Sequence, residues 1–74
     1  MQYNELGKYI KAKRIAKGQS LNQFAIENDI DPAILSRIEN LKQGIKLQVL
    51  VNIANGFQNT PAEFLTEFEK KTKN

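Results

Sequence analysis

Helix punctuation, more than composition, limits what this chain can fold into. Gly18 is followed by Ser20-Leu21-Asn22-Gln23, Asp31 is followed by Pro32, and Thr60-Pro61-Ala62 is followed by Glu63. A Ser or Thr with Gln or Glu three residues later is a capping box, in which the two side chains satisfy N–H groups at a helix start. Asp before Pro is a second kind of start. The carboxylate accepts from orphan donors, and Pro at the first helical position has no N–H to lose. A Gly after an apolar-periodic run ends a helix by taking a left-handed conformation. Together these signals divide 74 residues into five short helical segments. No apolar–polar alternation is sustained long enough for a strand, and no hairpin dipeptide separates apolar runs. The chain reads as all-α, a compact five-helix bundle.

Apolar spacing fills in the segments. The first runs from about Tyr3 to Lys17, with Leu6, Ile10 and Arg14 on one face. The second runs from Ser20 to about Asn28 and buries Leu21, Phe24 and Ala25. The third opens at Asp31-Pro32 and turns Leu35, Ile38 and Leu41 inward. Between the second and third lies only a tight turn at Asp29-Ile30, where Ala25 permits close approach and Ile30 plugs the corner. Gln43-Gly44-Ile45 reads as a loop. Leu47, Leu50, Val51, Ala54 and Phe57 then make a strongly apolar fourth helix, core from Leu47 to Phe57, which Asn55-Gly56 stops or bends. The fifth begins at Thr60 and carries Phe64, Leu65 and Phe68 on one side. Residues 1–69 are expected to form one domain and residues 70–74 a frayed basic tail, with Met1 the start of a whole protein.

Chemistry has few groups to work with. There is no Cys and no His, which removes disulfides, thiolates, the usual zinc sites and the commonest general base. No acidic cluster has the loop spacing of a calcium site, and no Gly-rich phosphate loop is present. No enzyme, cofactor or metal is expected. Neither a membrane-spanning stretch nor a basic-then-apolar leader is found, so the expected location is cytoplasmic. The net charge of +3 is too small to identify a partner, but it is unevenly spread. Residues 1–18 hold Lys8, Lys11, Lys13, Arg14 and Lys17 against Glu5 alone, whereas residues 19–41 hold Arg37 against Glu27, Asp29, Asp31 and Glu39. Such a chain can present one face to a polyanion.

Two short helices joined by a three- to four-residue turn suit a helix-turn-helix. The similarity extends along the chain. KAKRIAKG, SLNQFA, ILSRIEN, LKQGIK, LQVLVNIANGF and TPAEFL resemble, in order, stretches of the phage-repressor and Cro type of helix-turn-helix protein, the lambda-repressor-like or Xre family. These correspond to the family's basic first helix ending in Gly, its S/T-x-x-E/Q-x-A start, its third helix, its basic loop, its apolar fourth helix and its fifth-helix start. The resemblance implies a five-helix bundle with the helix-turn-helix in the second and third helices. It also implies sequence-specific binding of double-stranded DNA with the third helix in the major groove, as in a repressor-like transcriptional regulator. Asp29 and Leu41 stand where the family commonly has Gly, and Leu21 where many members have Gln.

On that footing Pro32, Ala33, Ser36 and Arg37 are the expected base-reading residues. Pro32 and Ala33 offer only apolar contact, to a thymine methyl, and Ser36 discriminates little. Arg37 is able to grip guanine with two parallel donors, the alternatives being a phosphate contact or pairing with Asp31 or another acid. Phosphate contacts are expected from Lys13, Lys17, Ser20, Gln23, Asn40, Lys42 and Lys46, with N–H groups at the start of the second helix. Arg14 shares the stripe of Leu6 and Ile10 and so needs a partner inside. Glu39 is its best candidate, and the resemblance indicates the same two positions. The expected working unit is a homodimer on an inverted repeat, meeting through Phe57, Asn59, Pro61, Phe64 and Phe68. The alternative is the same bundle serving as a protein-interaction module or an antitoxin, which the acids Glu27, Asp29 and Asp31 favour because they repel phosphate.

Overall fold

The computed structural model describes residues 5–72. It contains α1 (Leu6–Ala16), α2 (Leu21–Glu27), α3 (Pro32–Glu39), α4 (Leu47–Gly56) and α5 (Pro61–Thr72). No strand occurs among the described residues. Tyr3, the expected start of the first helix, lies outside them, as do residues 73 and 74.

The start signals act as caps. Ser20 Oγ accepts from the Gln23 N–H at 3.1 Å, although the Gln23 amide does not reach back and instead donates to Glu27 at 3.3 Å. At Thr60 both halves of the box form, at 2.8 and 3.1 Å. Asp31 accepts from the Ala33 N–H at 2.9 Å, with Pro32 opening α3.

Four helices end in one way. The chain turns left-handed at Gly18 (φ 80°), Asp29 (φ 57°), Leu41 (φ 61°) and Gln58 (φ 61°). The next N–H then reaches back to a carbonyl five residues earlier. These bonds run from Gln19 to Arg14 (3.3 Å), Ile30 to Ala25 (2.8 Å), Lys42 to Arg37 (2.7 Å) and Asn59 to Ala54 (2.9 Å). This is the Schellman motif. A residue with a Cβ costs about 1 kcal/mol there, so three of these turns are held by their surroundings. The expected stop at Asn55-Gly56 holds, since Gly56 is the last helical residue of α4, but the left-handed turn is taken by Gln58. Gly56 instead permits close packing, since a Cβ there would lie 2.6 Å from the Phe24 ring.

The core gathers Leu6, Ile10, Phe24, Ala25, Ile30, Leu35, Ile38, Ile53, Ala54, Phe64 and Phe68. α3 packs on α1 and α2, and α4 packs on α5. A Cβ on Gly7 would overlap the Ile38 carbonyl oxygen, so backbone meets backbone where α1 crosses α3. Aromatic rings link the two groups: Phe24 to Phe57 (centroids 4.8 Å apart), Phe57 to Phe64 (5.8 Å), Phe64 to Tyr9 (5.5 Å) and Tyr9 to Phe68 (5.3 Å). The radius of gyration, 11.2 Å, is that of a compact chain of this length, about 11 Å.

Expectations about the core and the tail change, beginning with Leu21, which is only half-buried. Leu47 is 74% exposed and Val51 half-buried, while Ile53 is fully buried. Gln48, Asn52 and Asn55 form one polar side of α4, and the buried side opposite them is centred on Ile53 and Ala54, not on Leu47 and Val51. Leu41 is 44% exposed because its left-handed backbone turns it off the inner face of α3. The basic segment beginning at Lys70 is helical through Thr72, since nothing in Glu69-Lys70-Lys71 interrupts a helix. No helix among the described residues is long and apolar enough to cross a membrane.

Candidate nucleic-acid interface

α3 is held rigidly from within. Leu35 and Ile38 are buried, and Glu39 receives two bonds from Arg14: Nε to Oε2 at 2.8 Å and Nη2 to Oε1 at 2.9 Å. Arg14 Nη1 donates a third bond to the Gln19 carbonyl at 2.8 Å. Both charged residues are buried, at 7% and 5% exposure. The hydrogen bond to Glu39 raises the Arg14 pKa against the opposing effect of burial, so the cation is secure. The planar guanidinium matches a carboxylate in a fork that fixes distance and angle. The pair therefore sets where α3 lies on α1. An Arg that exchanges no proton near neutral pH gives this pair a structural role.

The opposite side of α3 carries no packing duty. Ala33 and Arg37 are exposed, and Pro32 and Ser36 are half-buried. These four positions share one helical face, with Asn40 extending it by another turn. The Asn40 amide donates to the Ser36 carbonyl at 2.8 Å. Arg37 Nε donates to Gln43 Oε1 at 2.8 Å, and its terminal nitrogens make no hydrogen bond among the described residues. The turn before α3 is short, with Asp29 in its left-handed conformation and Ile30 buried in the corner.

The seven expected phosphate residues fall into three places. Lys13 pairs with Glu67 at 2.6 Å, and Lys17 donates to the Gly56 carbonyl at 2.6 Å. Both ammonium groups lie over the Phe57 ring, at 5.2 and 6.0 Å from its centroid. Their ammonium groups are thus engaged at the junction of α1, α4 and α5, with Lys13 half-buried and Lys17 exposed. Tyr9 also donates to Glu67, at 2.8 Å. Hydrogen bonds from Lys13 and then Tyr9 lower the Glu67 pKa, whereas burial, then the Glu67 contact, raise that of the Tyr9 phenol. Ser20 and Gln23 lie at the start of α2. Asn40, Lys42 and Lys46 lie at the end of α3 and in the following connection, all exposed. The side chains of Lys42 and Lys46 have no ion pair among the described residues.

The expected dimer set divides as well. Phe64 and Phe68 are both fully buried in a single chain, so they offer no surface to a second copy. Tyr9 covers them, a contact that helical spacing in α5 alone does not reveal. Phe57, Asn59 and Pro61 remain half-buried.

Two features were not anticipated. Gln43, in the expected loop, reaches Arg37. Gln48 and Asn52, one turn apart on α4, form a ladder at 3.0 Å that ends on the Asp29 carbonyl at 3.4 Å. The i, i+4 amides were visible in the sequence, but the Gln43 contact depends on the direction of a turn. A groove of about 600 Å³ opens between α1, the end of α3 and the 40–46 connection, lined chiefly by Leu6, Ile38, Leu41, Ile45, Leu50 and Leu65. Among the described residues, no group of three or more acidic side chains could hold a metal ion. Comparison with protein-family models, with curated proteins and with solved structures gives no match to this chain.

Proposed function

We propose that this protein binds double-stranded DNA in a sequence-specific manner through a helix-turn-helix formed by α2 and α3, in a bundle of the lambda-repressor-like type, and regulates transcription. One observation carries the reading. The inner face of α3 is fixed by core packing and the Arg14–Glu39 fork, while its outer face presents Pro32, Ala33, Ser36 and Arg37, none of them in the core and bonded only to neighbours in α3 and the 40–46 connection. A rigid helix with an outward, mixed apolar and cationic face is what insertion into a major groove requires. Phosphate contacts come from Ser20, Gln23, Asn40, Lys42 and Lys46. Two of the three acids nearby are occupied by hydrogen bonds: Asp31 caps its own helix, and Glu27 accepts from Gln19 and Gln23. The working unit is a homodimer on an inverted repeat, with Asn59, Pro61 and the open edge of Phe57 as its remaining contacts.

Titration of labelled duplex DNA at increasing salt tests this. Each phosphate contact contributes about −0.9 to the log–log slope. The double variant Lys42→Ala/Lys46→Ala should flatten the slope by about two contacts. An unchanged slope and affinity removes these two lysines from the interface. A second reading, a protein-interaction or antitoxin module, draws on the apolar groove beside Lys42. It predicts no salt-sensitive duplex binding at all.

A further inference from the structure

We infer that Gln43 is a positioning residue for Arg37, holding the guanidinium so that it meets guanine end-on, through Nη1 and Nη2. The inference rests on the DNA-binding reading above and deepens it. It begins with the backbone. α3 ends in a Schellman motif: the Leu41 N–H bonds the Ile38 carbonyl at 3.1 Å, and the Lys42 N–H bonds the Arg37 carbonyl at 2.7 Å. Leu41 supplies the left-handed turn at φ 61°. The motif returns the chain to the level of Arg37, two residues before the last residue of the helix. The first side chain after that return is Gln43. Its Oε1 accepts from Arg37 Nε at 2.8 Å, so the contact follows from how the helix stops.

The chemical consequence is specific. A guanidinium has five N–H donors in a fixed fork and can present either the Nε–Nη edge or the two terminal nitrogens. Gln43 uses the single donor on Nε, so the pair left for guanine O6 and N7 is Nη1 and Nη2. Elsewhere on this face the same economy holds, since the Asn40 amide is tied to the Ser36 carbonyl. An Arg held in one rotamer loses less freedom on binding than a free one. An exposed amide–guanidinium bond contributes little to folding. The effect of Gln43 therefore falls on recognition, not on stability.

The test compares the parent, Gln43→Ala, Gln43→Glu and Arg37→Ala in two measurements. In the free proteins, side-chain ¹⁵N relaxation of Arg37 Nε reads the hold directly. The inference expects an ordered Nε in the parent and in Gln43→Glu, and a mobile one in Gln43→Ala. On a randomised duplex library at constant salt, Arg37→Ala should lose guanine preference at one position per half-site, a discrimination of about 10- to 100-fold. Gln43→Ala should lose about 3- to 10-fold at that same position, with its salt slope and melting temperature unchanged, and Gln43→Glu should keep it. Equal Nε mobility in parent and Gln43→Ala overturns the inference whatever the protein binds. So does a parent-like preference in Gln43→Ala where Arg37→Ala has lost it, a result that leaves DNA binding intact. Absence of salt-sensitive duplex binding by the parent overturns the DNA reading itself, and this inference with it.

Discussion

The two faces of α3 differ in how completely they are determined. On the inner face every group is committed. Leu35 and Ile38 are buried, and Glu39 is gripped twice by Arg14, itself tied to the Gln19 carbonyl. On the outer face the side chains touch little beyond neighbours in α3 and the 40–46 connection. Under the proposed function, the contrast separates stability from recognition. A change on the inner face should alter folding and leave base preference alone, and a change on the outer face should do the reverse.

The largest effect should come from the fork. Glu39→Ala leaves Arg14 buried without its carboxylate, and urea denaturation should register a loss of about 3–5 kcal/mol. A variant as stable as the parent would mean that Arg14 swings out to water at little cost. Phe68→Ala should fall in the same range of about 3–5 kcal/mol, because the ring is fully enclosed. If Phe68→Ala instead leaves stability unchanged and abolishes self-association, the ring belongs to a dimer interface after all.

Gly7→Ala probes the inner side from α1. Its new methyl would meet the Ile38 carbonyl, and overpacking of this kind costs about 1–3 kcal/mol. Calorimetry should show the lower melting temperature. The opposite sign is expected at the left-handed turns. Gln58 is exposed and held at φ 61°, so Gln58→Gly should stabilise by up to about 1 kcal/mol. A loss there would mean that the Gln58 side chain contributes contacts that outweigh its backbone strain.

The smallest effect concerns the second ion pair of α1. Lys13–Glu67 is half-exposed where Arg14–Glu39 is buried. Bonds from Lys13 and Tyr9 depress the Glu67 pKa in the folded state. The corresponding stabilisation is present above the ordinary carboxylate range and is lost as pH falls through the depressed value. Glu67→Gln should therefore flatten a slight acid-side decline in stability measured from pH 6 to 2. Equal declines in parent and variant would assign the acid sensitivity to another group.

How much of this was legible depended on whether the signal was local. Capping boxes, the Asp31-Pro32 start and the Gly18 stop act within a few residues, and the helix starts they imply hold to within a residue at α2, α3 and α5. Arg14 on an apolar stripe implied a buried acid because a charge there cannot stand alone. The rotation of α4 was legible only from its polar residues, since Gln48, Asn52 and Asn55 share one side and place Ile53 and Ala54 on the other, whereas the apolar spacing from Leu47 placed the core one position off. The burial of Phe68 needed Tyr9, far away in sequence. Arg37 and its outward position could be read from spacing, but its hold by Gln43 could not, because it depends on a left-handed Leu41 that the sequence does not announce.

The central claim is that the outer face of α3 reads DNA, and the most direct measurement is selection of bound duplexes from a random pool at near-physiological salt, run in parallel for the parent and Arg37→Ala. The parent should enrich an inverted repeat containing a guanine–cytosine pair in each half-site. Arg37→Ala, folded and as stable as the parent, should relax preference at that pair alone. No enrichment by the parent, or identical profiles for the two proteins, would contradict it.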